Sequence, residues 1–186
     1  AQGMLQALAA LNENWSRNGA PVLKVGIGIH CGPAIFGNIG SDKKMEPGVI
    51  GDTVNLASRL EGLSKKYGVP VIVSGELAAR AASEKSLQMR HIDTARVAGR
   101  SAAVEIYSPA WDALGLPLPG KLVTSYQDAR ALFVDRKWNE CGRILDELLL
   151  EFPDDGPSVL LRERVRVAIE SPPGMEWSPV MDWTQK

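Results

Sequence analysis

The apolar positions of this chain fall into blocks whose spacing switches between a helical and an extended period. Met4, Leu5, Leu8, Leu11 and Trp15 share one face of a predicted helix over residues 1–18, and Asn18-Gly19 with Pro21 just beyond is a stop signal. That pattern is already running at the first residues, with no cap before Met4, as expected of a chain with further polypeptide upstream. In LKVGIGIHCG, residues 23–32, Val25, Ile27 and Ile29 alternate with Lys24, Gly26, Gly28 and His30, the period of a strand with a glycine-lined face. Glycine weakens a strand, so its repetition on one face predicts a close neighbour there. Pro33 to Ile39 reads as the hairpin partner of this strand, Ser41 to Lys44 as a loop, and GVIGD at 48–52 as a short strand closing into a turn.

A helix is predicted over 53–67, with Asp52-Thr53 as its N-cap, Lys65 and Lys66 in its last turn and Gly68 as its stop. Leu56, Leu60 and Leu63 form its apolar stripe. VPVIVS at 69–74 reads as a buried strand and 75–83 as a short helix. MRHIDTARV at 89–97 and AVEIYS at 103–108 read as strands around the turn Gly99-Arg100-Ser101.

After Pro109 the texture changes. Residues 110–120 are a proline- and glycine-rich linker, and helices are expected at about 122–136, 138–152 and 156–170, broken by Pro153-Asp154-Asp155-Gly156. Ala129, Leu132 and Phe133 serve the first, and Trp138, Cys141, Ile144, Leu145, Leu148 and Leu149 the second. The helical tail, 121–186, loosely resembles a tetratricopeptide-type helix pair. One such unit buries little alone, so it is expected to dock on the preceding part or on a second chain. The last residues, SPPGMEWSPVMDWTQK, are expected to lie extended over a surface.

Composition narrows the function classes. A net charge of −1 argues against a nucleic-acid surface. No apolar run reaches the roughly 20 residues of a membrane-spanning helix, and a signal-peptide layout is lacking. Cys31 and Cys141 read as reduced thiols of a cytoplasmic protein, and with only His30 and His91 a zinc site is not expected.

The segment VGIGIHCGPAIFGNIGSDKKMEPGVIGDTVNLASRLEGL, residues 25–63, carries the chemistry. With its IGIHxG strand, GNIG turn and VIGDTVNLAxRLE block, it resembles the second half of the class III adenylyl/guanylyl cyclase catalytic domain. The late VxGRxxxVEIY pattern fits the end of that domain, so the resemblance covers residues 1–109. It implies an α+β, ferredoxin-like cyclase domain, partial in lacking its N-terminal strands, followed by the small α-helical extension.

The implied reaction is attack of a ribose 3′-hydroxyl on the α-phosphate of the same nucleotide, ATP or GTP, with loss of pyrophosphate. In such a transfer the protein mainly positions groups and neutralises charge. The resemblance assigns ribose orientation to Asn55 and transition-state charge to Arg59, one helical turn apart. It places base reading at Gly48, which has no side chain for a purine edge, and at the backbone of Val49. Arg100 stands two residues after Ala98 in the turn where the family carries a phosphate-binding lysine.

The Mg²⁺ or Mn²⁺ of the family is held by two aspartates in strands preceding residue 1, so no metal ligand is expected here, and Asp52 is read as structural. Family sites are shared between two protomers. The expected partner is therefore a second copy or another cyclase domain, and these residues alone are expected to be inactive. His30 reads as a structural histidine at its strand end. The competing expectation is a non-catalytic cyclase-homology module for regulation or dimerisation, favoured by Gly48 and Ala98. A purely structural helical-repeat protein is supported by the tail alone.

Overall fold

The computed structural model describes residues 1–41, 44–83 and 87–184. The elements run α1 (Gln2–Arg17), β1 (Ile27–Ile29), β2 (Ile35–Ser41), β3 (Lys44–Ile50), α2 (Asp52–Tyr67), β4 (Val71–Ser74), α3 (Gly75–Ala81), β5 (Met89–Val97), β6 (Val104–Pro109), α4 (Gly120–Val134), α5 (Trp138–Glu151), α6 (Gly156–Glu170) and β7 (Met181–Trp183). The main sheet has the order β1-β4-β6-β5-β7, with β2 and β3 forming a separate antiparallel hairpin. β1 pairs parallel with β4, β6 runs antiparallel to both β4 and β5, and β7 lies parallel to β5.

Alternation along β4 serves both faces of this sheet. Ile72 packs with Leu56, Leu60, Leu63, Ile92 and Ile106 beneath α2, while Val71 and Val73 join Leu5 of α1 and Ala78 of α3 on the other side. The predicted apolar stripe of α2 is buried as a unit, with Leu56 and Leu60 fully enclosed. At about 25 cal/mol per Å², each such leucine contributes about 2 kcal/mol.

Three expectations change. β2 pairs with β3, from Ile35↔Ile50 to Ser41↔Lys44, so its hairpin partner is not the 23–32 segment. Of that segment only Ile27–Ile29 is strand, because β1 finds its neighbour in β4. The predicted loop 41–44 is thus bounded by the ends of β2 and β3, and its Asp42 and Lys43 lie outside the described residues. The C-terminal segment, expected to lie extended over a surface without forming an element, instead extends the sheet as β7.

The tail helices have their own core of Leu122, Tyr126, Ala129, Phe133, Cys141, Leu145, Leu148, Leu161 and Val165. They dock on β5 of the same chain. Register against β6 slips between His91 and Asp93, leaving Ile92 without a cross-strand partner at this bulge. Its carbonyl accepts from Tyr126 Oη at 2.7 Å and Arg130 Nε at 3.3 Å, and the His91 carbonyl accepts from Gln127. Backbone acceptors freed by the bulge are thereby satisfied from α4, as buried carbonyls require.

Fully buried Arg90 forms a bidentate pair with Asp155, at 2.7 and 2.6 Å. Buried Asp93 receives the Tyr67 hydroxyl and Arg164.

Candidate functional site

Helix α2 carries the two residues expected to handle the nucleotide, and glycine sets its position. A Cβ on Gly28 would lie 2.1 Å from the Ala57 carbonyl oxygen and 2.2 Å from the Glu61 nitrogen, and one on Gly26 would lie 2.1 Å from Ser64 Oγ. The close neighbour predicted for the glycine face is therefore α2 itself, laid against β1. Its buried stripe faces the sheet, which turns Asn55 outward and leaves Arg59 half-buried at the margin.

Arg59 ends on the turn between β5 and β6. A Cβ on Gly99 would be 2.9 Å from Arg59 Nη2 and 3.4 Å from its Cζ, so the guanidinium rests on bare backbone. Gly99 has φ +67°, a conformation that disfavours other residues and turns the chain under the arginine. Arg100, the next residue, forms an ion pair with Asp52 in the first turn of α2. Hydrogen bonding from Arg100 holds the Asp52 carboxyl below the usual carboxylate range, and the nearby charges of Arg59 and His30 act in the same direction.

The expected N-cap is corrected here: Gly51 caps α2, while Asp52 is its first helical residue and turns its carboxylate to Arg100. Thr53 Oγ1 donates to the Pro33 carbonyl at 2.6 Å, tying the start of α2 to the approach to β2. His30 lies 2.7 Å, through Nδ1, from Ser74 Oγ at the end of β4, a structural setting.

The structure thus brings Arg59, Arg100 and Asp52 together through one turn. Asn55 is exposed one helical turn before Arg59, and its side chain has no hydrogen-bond partner among the described residues. Gly48 and Val49 are set apart on the β2–β3 hairpin, where Val49 is 47% exposed and a Cβ on Gly48 would meet Ile39 at 2.8 Å. The hairpin runs directly into α2 through Ile50 and Gly51, so Gly48 and Val49 lie on the element just before the helix of Asn55 and Arg59.

No group of three or more His, Cys, Asp or Glu able to hold a metal ion occurs among the described residues. Asp52, the carboxylate beside the arginines, is already bound to Arg100. These residues do not fit a Mg²⁺ or Mn²⁺ centre. No described helix is long and apolar enough to cross a membrane.

Sequence reasoning missed Gly99 as the seat of Arg59 and Asp52 as the partner of Arg100. The signals were present as a glycine before the turn arginine and an acid at the start of the helix. Neither reveals that two segments nearly fifty residues apart meet.

The adenylate and guanylate cyclase catalytic domain profile matches residues 2–108. Adenylate cyclase 1 of Rhizobium meliloti is 38% identical over 102 residues, 55% of this chain and 15% of that protein. The adenylate cyclase of Anabaena cylindrica is 38% identical over 109 residues, 56% of this chain and 22% of that one. The chain therefore spans less than a quarter of the length of either relative. Among solved structures, the adenylyl cyclase CyaB from P. aeruginosa superposes with a TM-score of 0.52 at 29% identity, over 57% of this chain and 53% of that one.

Proposed function

The chain belongs to the adenylate and guanylate cyclase catalytic domain family, and from that premise we propose that it supplies the ribose- and phosphate-binding side of an adenylate cyclase site, converting ATP to cyclic AMP and pyrophosphate. The carrying observation is Arg59, half-buried on Gly99, one helical turn from exposed Asn55 and beside the turn of Arg100.

Asn55 orients the ribose by hydrogen bonds from its amide. As the 3′-oxygen bonds to the α-phosphorus and the bridging oxygen departs with pyrophosphate, Arg59 meets the charge that develops on the phosphoryl oxygens. Its planar fork of donors stays charged and can meet two of those oxygens at once, where a lysine offers a point charge. Arg100 exchanges Asp52 for the triphosphate. The backbone at Gly48 and Val49 borders the base. The adenylate cyclase relatives support ATP over GTP; glycine at position 48 has no side chain with which to choose between purines.

Metal ligands come from a partner cyclase domain, on a second copy of the full-length polypeptide or on another protein, so residues 1–186 do not turn over ATP by pairing with themselves. The protein works in the cytoplasm in cyclic-nucleotide signalling. On the full-length polypeptide carrying these residues, Arg59→Ala is expected to lower cyclic AMP formation by about 100-fold or more. An unchanged rate refutes the role given to Arg59. A parent protein without turnover, with cyclic nucleotide formed only by a partner domain, turns the reading to a regulatory or dimerisation module. Gly48 and Ala98 are the residues that favour that second reading.

A further inference from the structure

β7 continues the main sheet beyond β5 by pairing with Ala95, Arg96 and Val97. These are the last strand residues before the turn that seats Arg59 and carries Arg100. Arg96 links the two directly. Its Nε donates to the Ser101 carbonyl across the turn at 3.2 Å, and its Nη1 lies 3.3 Å from Asp182 Oδ2. Asp182 is itself oriented, because its Oδ1 accepts from the Thr184 amide at 2.9 Å and from its hydroxyl at 2.5 Å.

The next residue reaches the other arginine-bearing element. Trp183 Nε1 donates to the Tyr67 hydroxyl at 3.0 Å, the two rings meet edge-on at 5.9 Å, and the Lys66 ammonium lies 5.2 Å from the indole centroid. Lys66 and Tyr67 close the helix on which Asn55 and Arg59 lie. Two neighbouring residues of β7 therefore tie the phosphate-side turn to the end of α2.

We propose that Asp182 and Trp183 are positioning residues for the nucleotide site: the C-terminal strand is a strap that fixes the 98–101 turn relative to α2, so that Arg59 and Arg100 face one triphosphate together. This rests on the nucleotide reading of those arginines. Neither Asp182 nor Trp183 belongs to the reacting groups. The strap acts through backbone and through Arg96, in the way that a chain segment held at both ends loses local opening.

The test uses the 186-residue protein for one readout and the full-length enzyme for another. In the 186-residue protein, amide hydrogen exchange is followed at residues 98–102, with the amides of α5 reporting the overall fold. Asp182→Ala is expected to speed exchange in the turn by about two- to fivefold, the range of an exposed ion pair. Trp183→Ala is expected to speed it by about tenfold or more, Asp182→Glu to hold the parent rate, and α5 to stay unchanged. In the full-length enzyme the Asp182→Ala/Trp183→Ala double variant is expected to raise KM for ATP about threefold or more, more than it lowers kcat, with Asp182→Glu at the parent value.

Unchanged exchange at 98–102 overturns the strap. Faster exchange with KM and kcat both unmoved overturns its bearing on the site. If the parent enzyme forms no cyclic nucleotide, the cyclase reading falls. The exchange readout still decides the strap, faster exchange upholding it and an unchanged rate removing it.

Discussion

The guanidinium of Arg59 lies on the backbone of Gly99, so close that an added Cβ would stand 2.9 Å from Nη2. The relationship joins a helix to a turn forty residues later and decides which way the arginine points. Gly99→Ala meets two penalties, a left-handed φ costing about 1–2 kcal/mol and a collision that lifts Arg59 from its seat. In the full-length enzyme this substitution is expected to lower cyclic AMP formation about tenfold or more. Thermal unfolding separates that effect from loss of fold. Wild-type turnover would show that Arg59 needs no such seat.

Glycines elsewhere on α2 and its strand should respond in opposite ways. Gly28→Ala forces a methyl into the backbone of α2, with Cβ 2.1 Å from the Ala57 oxygen, and is expected to cost about 3 kcal/mol or more. Gly62 lies inside α2 with nothing within 4 Å of an added Cβ. Gly62→Ala is expected to stabilise by about 0.5–1 kcal/mol through helix propensity alone. Chemical denaturation of the two variants reads both signs, and equal destabilisation would contradict the packing described.

The junction between sheet and tail depends on a buried charge pair. Arg90 is 1% exposed and bound by both oxygens of Asp155, whose side chain also accepts from the Ser158 amide at the start of α6. Asp155→Asn keeps a capping oxygen but leaves the guanidinium uncompensated, and is expected to cost about 3–5 kcal/mol. Adding Arg90→Met should recover part of that loss, because the stranded charge is then gone. A double variant no more stable than Asp155→Asn would count against this account.

Acid should loosen the same junction in two separate windows. Burial pushes the His91 imidazole down to about 4, helped by the Arg130 charge. Its ring stacks on Tyr107 at 4.4 Å and its Nε2 lies 3.1 Å from Arg130 Nη2. An unfolded histidine takes up a proton from about 6.5, so between about pH 6.5 and 4 the unfolded state holds more protons and stability falls with pH. With the ring partly open to solvent, the loss is about 1–2 kcal/mol.

Burial raises Asp155, but the hydrogen bonds and charge of Arg90, with Ser158, outweigh it and hold the carboxyl below 3.8. The stability that Asp155 contributes is therefore present above that pH and is lost only on further acidification. Denaturant midpoints across pH 7 to 4 should flatten in His91→Asn while the fall below pH 4 persists. A His91→Asn profile parallel to the parent would refute the assignment.

The periodicity of the chain is enough to read α2, β5, β6 and the tail helices, since each buries a face of its own at its own period. It fails at β1 and β2. Both are short apolar runs next to glycine, and pairing partners in a sheet are chosen by segments far along the chain. β1 takes β4 and β2 takes β3. β7 was illegible for a related reason: Met181–Trp183 has no period of its own and becomes a strand because β5 presents an edge to it.

At the candidate site, local pattern places Asn55 and Arg59 one turn apart beside an apolar stripe, and family resemblance supplies the meaning of that pair. Those statements need only residues within one helix, whose geometry is set by its own backbone hydrogen bonds. Where Arg59 rests, what Arg100 binds, how the bulge at Ile92 takes up the tail and how Trp183 reaches Tyr67 were decided by the tertiary structure alone. Each is a contact between segments distant in sequence, settled by close packing and by the requirement that buried charges and carbonyls find partners.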